Sequence, residues 1–140
     1  AGVAALVYSR RPDLIPQTGS PTAIIAVLDS SAEDQVAPEG LEEFDPPGWD
    51  DHYGHGRINA FRALLSVSRG DVNNSGEVDI IDLTMEVEIV FRGGNLNEIA
   101  WHPALADLNC DGVNNAVDIV LLVNTAFRDV AQPVCYHFDY

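Results

Sequence analysis

The fold is decided by the stretch "GDVNNSGEVDIIDL", residues 70–83, in which polar side chains surround one glycine, Gly76, before the sequence turns apolar. The polar residues are Asp71, Asn73, Ser75, Asp79 and Asp82. Asp, Asn, Ser and Gly also form ordinary surface turns, so one such stretch on its own has a plain alternative explanation.

A second copy of the pattern follows 36 residues later. Residues 71–92 align with residues 107–128, and this alignment indicates a duplicated unit. Two matches in one register also weaken the surface-turn explanation. The coinciding pairs are Asp71/Asp107, Asn73/Asn109, Gly76/Gly112, Asp82/Asp118, Val87/Val123, Phe91/Phe127 and Arg92/Arg128.

In both copies the polar residues fall at positions 1, 3, 5, 9 and 12 of a loop with glycine at position 6. A twelve-residue calcium loop uses side chains at 1, 3 and 5, a carbonyl at 7, a water-mediated contact at 9 and a bidentate carboxylate at 12. The spacing therefore predicts two Ca²⁺ sites. The predicted ligands in loop 1 (residues 71–82) are Asp71, Asn73, Ser75, the carbonyl of Glu77, Asp79 and Asp82. In loop 2 (residues 107–118) they are Asp107, Asn109, Asp111, the carbonyl of Val113, Asn115 and Asp118.

Each loop leads into a predicted amphipathic helix. The predicted core-facing residues are Leu83, Val87, Val90 and Phe91 in the first helix and Ile119, Val123, Ala126 and Phe127 in the second. Two positions depart from the usual loop pattern. Ser75 stands where a carboxylate is commoner, and Asn114 stands where an apolar residue usually anchors the loop.

The segments "GDVNNSGEVDIIDL" and "ADLNCDGVNNAVDIVLL" resemble the paired units of a dockerin, which keeps only the loop and exiting helix of each EF-hand and has aspartate at position 12. The resemblance covers about residues 70–128. It implies binding to a cohesin domain, which docks a secreted enzyme onto a scaffold or cell surface. Cellulosomal dockerins often carry a Ser/Thr pair at positions 10 and 11, where this chain has Ile80 and Ile81, then Ala116 and Val117. That difference favours an intramolecular or self-associating role over binding of a cellulosomal cohesin.

The first part of the chain is similar to the last third of a subtilisin-like (subtilase) serine protease domain. The similar segments are "AGVAALVYSRRPDL", "AIIAVLDSSAED" and "DHYGHGRINAFRALL", within about residues 1–65. The resemblance implies that the nucleophilic serine lies just before Ala1 and the other triad residues further upstream, so it assigns no catalytic residue here. We therefore expect this chain alone not to be an enzyme and its parent to be a subtilisin-like serine endopeptidase.

Three helices are predicted before the loops. The first covers residues 1–9 and ends before Pro12, the second is capped by Ser20 with Pro21 in its first turn, and the third covers 57–67. Because the first helix is apolar all round, we expect another chain to cover it.

No stretch predicts a strand with any strength. The expected fold is mainly α, with subtilase C-terminal helices that lack their sheet followed by a dockerin-like pair of calcium loop-helix units. The corresponding domains are residues 1–68 and 69–140.

The composition narrows the choice of partners. Twenty-two acidic and seven basic residues give a formal charge of −15, which repels phosphate backbones and anionic lipids. The longest apolar run is far shorter than the roughly 20 residues of a membrane span. We therefore expect no nucleic acid and no membrane span. The expected partner is another protein chain, namely a cohesin-like receptor, the remaining protease domain or further copies of this chain.

Two cysteines occur, Cys110 inside loop 2 and Cys135 near the end. An even count in a calcium-binding chain favours a secreted or extracellular location and one disulfide. Two unlinked thiols remain the alternative, since the sequence does not show whether the Cα atoms approach within about 7 Å.

Two functions of different classes follow from these features. In the first, the chain is a calcium-stabilised anchoring or interaction module attached to a catalytically incomplete piece of a secreted protease. In the second, it is a structural subunit that self-assembles into an oligomer or an extracellular filament. A third, weaker interpretation is one part of a nicked protease that still completes its fold.

Overall fold

The computed structural model describes residues 1–17, 19–34 and 48–135. The chain divides into two units, Ala1–Leu64 and Leu65–Tyr140. The described residues are mainly helical and form no β-strand, which confirms the mainly α fold class at this level. The subtilase origin of the first part and the domains 1–68 and 69–140 stay predictions.

The first unit begins with α1 (Gly2–Arg10), a short 3₁₀ turn (Pro12–Leu14) and α2 (Thr22–Ser31). As predicted, α1 ends before Pro12, whose ring cannot donate a main-chain hydrogen bond. Helices α1 and α2 contact each other, and Val7, Ile24 and Val27 are buried.

The apolar side chains around α1 are only partly buried. Val7 is fully buried, whereas Leu6 is 49% exposed and Ala5 is also exposed. The expectation that another chain covers this helix stays a prediction.

The predicted cap of α2 is wrong. Pro21, not Ser20, occupies the N-cap position, and no side chain accepts a hydrogen bond there. Ser20 contributes its carbonyl oxygen instead, which accepts from the Thr22 N–H at 2.9 Å.

The predicted start of the third helix is also wrong, since α3 (Ala60–Val67) begins three residues after Arg57. Arg57 is held in an isolated β-bridge, where its N–H and carbonyl pair with Glu33 at 2.8 and 2.7 Å. The side chain of Asn59 then caps the helix by accepting from the Arg62 N–H at 3.0 Å. Only glycine fits at Gly56, because its φ is +98° and a Cβ atom would lie 2.2 Å from the Glu33 carbonyl oxygen.

The second unit contains α4 (Ile80–Arg92), α5 (Leu96–Ile99), α6 (Pro103–Ala106) and α7 (Ala116–Phe127). The two long helices, α4 and α7, contact each other. Its core cluster consists of Val72, Ala100, Ala106, Leu108 and Leu122, with Val78, Leu83, Met85, Ile89, Leu96 and Leu121 packed against it.

The predicted core faces of the long helices are only partly right. Phe91 is 66% exposed and Phe127 is 55% exposed, although both were assigned to the core. The fully buried residues of α4 are Asp82 and Glu86, and those of α7 are Asp118 and Leu122. Each helix turns its position-12 carboxylate back towards its loop, and the residue four positions later necessarily shares that face.

The predicted disulfide is confirmed. Cys110 and Cys135 are bonded with their Cα atoms 5.9 Å apart, so the alternative of two free thiols is wrong. The segment before Cys135 runs back to the start of the unit. There the Cys135 N–H donates to the Ser66 carbonyl at 3.1 Å, and the Gln132 side chain donates to the Arg69 carbonyl.

No helix in the described part of the chain is long and apolar enough to cross a membrane.

Candidate metal centre

The last predicted ligands of loop 1 also start the helix that follows. The Asp79 side chain accepts from the Ile81 N–H at 2.7 Å, and the Asp82 side chain accepts from the Asp79 N–H at 2.9 Å. This reciprocal arrangement is a capping box. Positions 9 and 12 are therefore fixed relative to each other by helix formation.

Loop 2 repeats the arrangement with different residues. Asn115 accepts from the Val117 N–H at 2.8 Å, and Asp118 accepts from the Asn115 N–H at 2.9 Å. These bonds form the capping box of α7. The duplication seen in the sequence is thus a duplication of local geometry.

The first predicted ligand of each loop is buried and organises the turn. In loop 1 the two oxygens of Asp71 accept from the Ser75 and Gly76 N–H groups at 2.8 and 2.9 Å. In loop 2 Asp107 does the same with the Asp111 and Gly112 N–H groups at 3.2 and 3.1 Å. Each loop therefore wraps around the carboxylate at its position 1. 

The carboxylate at position 12 reaches across to the beginning of its loop. Asp82 accepts from the Asn73 N–H at 3.1 Å, and Asp118 accepts from the Asn109 N–H at 3.1 Å. Both carboxylates are fully buried. The structure therefore brings the first and last predicted ligands of each loop to the same turn.

The predicted carbonyl ligands face the side chains of their own loops. The Glu77 carbonyl accepts from the Ser75 hydroxyl at 3.2 Å, and the Val113 carbonyl accepts from the Asn115 amide at 3.1 Å. The glycine at position 6 has a positive φ in both loops, +109° and +80°, as the sharp turn requires.

Burial raises the pKa of the carboxyls at position 12. For both Asp82 and Asp118 burial is the largest effect, and hydrogen bonds from backbone N–H groups lower the pKa in partial opposition. A cation bound in the loop would favour the charged form of these groups.

The donor set fits a hard divalent cation. The predicted ligands are carboxylate, amide, hydroxyl and carbonyl oxygens, without nitrogen or sulfur, which is the chemistry that Ca²⁺ prefers. Within residues 1–17, 19–34 and 48–135, no group of three or more His, Cys, Asp or Glu side chains is arranged to hold a metal ion. A cation in these loops would therefore depend on the neutral oxygens as well as on the carboxylates.

Sequence reasoning missed a buried arginine that joins the two halves of the unit. Arg69 is fully buried, and its guanidinium donates to the carbonyls of Ala104 and Asp107, the latter at 2.9 Å. It also lies 3.7 Å from the Asp107 carboxylate. The sequence feature that could have identified Arg69 is a break in the internal repeat, since the residue 36 positions later is the apolar Leu105.

A second missed feature is the pair Glu86 and Asn114. The pKa of Glu86 is raised to about 8, first by burial and then by the charges of Asp118 and Asp107, while a hydrogen bond with the Asn114 side chain lowers it in partial opposition. These residues also break the repeat, because their counterparts at the same spacing are Leu122 and Val78.

Comparison with known families agrees with the geometry of the second unit. The family model described as Dockerin type I domain matches residues 69–125. The matched segment contains both loops, all of α4 and most of α7, so the similarity covers the whole duplicated loop-helix unit. This similarity supports calcium binding and interaction with a protein partner.

Comparison with the curated proteins and with the solved structures gives no match. The resemblance of residues 1–65 to subtilisin-like proteases therefore stays a prediction.

Proposed function

We propose that residues 69–140 are a calcium-stabilised anchoring or protein-interaction module attached to residues 1–68, a catalytically incomplete C-terminal piece of a secreted subtilisin-like serine protease. The observation that carries the first part is the repeated geometry of the two loops. In each loop a buried carboxylate at position 1 and another at position 12 lie in a turn of oxygen donors that caps a long helix.

The proposed role of Ca²⁺ is structural. When bound, the ion supplies positive charge that offsets the repulsion and burial of the loop carboxylates. Asp71 and Asp107 would hold it at the start of their loops, and Asp82 and Asp118 at the end. Loop 1 would add Asn73, Ser75, the Glu77 carbonyl and Asp79, and loop 2 would add Asn109, Asp111, the Val113 carbonyl and Asn115. The proposal is thus of two sites, each coupled to the start of a helix.

The proposed partner is another protein chain that contacts the first turns of α4 and α7. Ile80, Ile81 and Val117 are each more than half exposed at these helix starts. A cohesin-like receptor that docks here would need an apolar surface, because the hydroxyl pair typical of cellulosomal dockerins is absent. The disulfide supports an extracellular or secreted location for this interaction.

Self-assembly into an oligomer or filament is the second candidate. The same exposed side chains favour it, together with Phe91 and Phe127 on the later turns of the helices. Large exposed apolar side chains close together often mark an interface.

Size-exclusion chromatography with light scattering, run in calcium and in chelator, separates these functions. An anchoring module should elute as a monomer in calcium, whereas a structural subunit should form large assemblies. A stable complex with a larger protease fragment, when one is supplied, would support the nicked-protease interpretation. The double variant Asp82→Ala with Asp118→Ala is the matched control, because its elution should not respond to calcium.

A further inference from the structure

Glu86 and Asn114 form a buried polar pair in the second unit. Neither side chain makes a hydrogen bond of ordinary geometry to the rest of the described chain, and the Asn114 side chain is the hydrogen-bonding neighbour that lowers the pKa of the Glu86 carboxyl. Glu86 is 0% exposed. Burying a polar group without strong hydrogen bonds costs free energy. In native structures such groups often have an explanation such as a bound water molecule or ion.

The internal repeat shows that this polar pair occupies a defined structural position. Shifted by 36 residues, Glu86 corresponds to Leu122 and Asn114 corresponds to Val78. Val78 packs against the cluster that contains Leu122, so on that side of the unit the pair is apolar. On one side of the unit, the helix and the opposite loop are therefore joined by the apolar pair Leu122 and Val78. On the other side, a carboxylate and an amide occupy the same two positions.

The polar pair lies on the side of loop 2. The charges of Asp118 and Asp107, the last and first predicted ligands of that loop, act on the Glu86 carboxylate. Loop 1 has no such neighbour at the equivalent position, because Leu122 carries no charge. The two otherwise repeated sites thus differ in the charge that surrounds them.

We propose that Glu86 is an affinity determinant of the second calcium site, a buried carboxylate on the helix of the first loop whose negative charge stabilises the cation held by loop 2. Asn114, at position 8 of that loop, is its positioning partner. This inference rests on the proposed calcium binding. It makes loop 2 a stronger divalent-cation site than its own ligand set would provide, and it makes that site depend on correct packing of α4 against α7.

Calorimetric titration of calcium into single-site backgrounds tests the proposal. The Asp82→Ala background retains only the calcium site of loop 2, and the Asp118→Ala background retains only that of loop 1. Glu86→Gln keeps the shape of the neutral side chain but cannot ionise when calcium binds. It should weaken calcium binding about tenfold in the first background, because a negative charge near the bound divalent cation is lost. It should leave affinity unchanged in the second background.

The double variant Glu86→Leu with Asn114→Val is the matched control for folding, because it recreates the apolar pair Leu122 and Val78. It should fold, melt at a higher temperature than the wild type in chelator, and bind calcium weakly at loop 2. Unchanged affinity of loop 2 in both Glu86 variants would overturn the inference, as would equal weakening of both loops. If the wild type binds no calcium, the proposed function fails and the inference falls with it, an outcome distinct from binding that ignores Glu86.

Discussion

At the scale of single residues, the carboxylates at position 12 combine two tasks. Asp82 completes the capping box of α4 and is also the proposed bidentate ligand of loop 1. Asp118 does the same for α7 and loop 2. Helix formation and cation binding are therefore coupled through one side chain in each loop.

Replacing either of these residues should remove one calcium site and leave the other. Asp82→Ala and Asp118→Ala each delete a carboxylate that no neighbouring side chain can replace, and each also removes a helix cap, a loss of about 1 kcal/mol. Calorimetry should count one site in each variant and two in the wild type. Asp82→Asn keeps the hydrogen-bonding shape without the charge and separates the two losses. Two sites in either alanine variant would contradict the ligand assignment.

Because of Glu86, we expect the stability of the protein in chelator to have an unusual dependence on pH. Its pKa is about 8 in the folded protein, above the ordinary glutamate value of 4.5, so the folded state holds the proton more tightly. The resulting stability is fully present below pH 4.5 and is lost as pH rises through 8, a loss of about 4 kcal/mol by pH 8. Melting temperatures measured from pH 5 to pH 8 should therefore fall more steeply for the wild type than for Glu86→Gln.

Asp82 and Asp118 also have raised pKa values, so they shift stability in the same direction in both proteins. The difference between the two slopes therefore belongs to Glu86. Parallel slopes would contradict burial of this group in its neutral form.

At the scale of elements, the spacing of polar residues predicted more than the apolar pattern did. The loop register correctly indicated where helices would follow, and the cysteine count predicted the disulfide. The helix faces were partly wrong because apolar periodicity alone does not set the rotation of a helix. Here the inward turn of Asp82 and Asp118 sets it, and as a result Phe91 and Phe127 lie exposed.

Glu86 and Asn114 could not be assigned from the sequence because each is polar at a position where its repeat partner is apolar. Only the fold shows that the two departures lie near each other. The starts of α2 and α3 were missed for a related reason, since main-chain contacts of Ser20 and Arg57 override the local capping signals.

The disulfide should stabilise loop 2 and the segment after α7. Cys110 has a φ of +63°, a conformation that its repeat partner Asn74 also adopts and that suits Asn better than Cys. The bond closes a loop with a sequence separation of 25, so Cys110→Ser with Cys135→Ser should lower the free energy of unfolding by about 3 kcal/mol. Denaturant unfolding in calcium measures this change.

Cys110→Asn with Cys135→Ser is the matched control, because it removes the bond but places the residue of loop 1 in loop 2. It should recover part of the loss. Equal stability of the wild type and both variants would show that the tether contributes nothing to the unit.

At the scale of the whole molecule, two separate apolar surfaces are candidates for contact with another chain. One is the surface of α1 that includes Ala5 and Leu6, and the other is formed by Ile80 and Ile81 at the start of α4. The first would favour assembly through the first unit, and the second through the second unit.

A polar or charged substitution on each surface should distinguish the two. Ala5→Glu should dissociate an assembly built through α1 and leave calcium binding by residues 71–118 intact, because the two units have separate cores. Ile80→Ser with Ile81→Thr should dissociate an assembly built through the module. Light scattering measures both. A wild-type chain that is monomeric at high concentration would contradict the assembly proposal.

Thermal unfolding of the wild-type chain, in calcium and in chelator, tests the central claim most directly. Binding to the folded state alone should stabilise the second unit by about 2.7 kcal/mol per site when calcium exceeds its dissociation constant a hundredfold. For a unit of this size that shift raises the melting temperature by roughly 10 to 20 °C. The double variant Asp82→Ala with Asp118→Ala should show no difference between the two conditions. Wild-type melting curves that coincide in calcium and chelator would contradict the account.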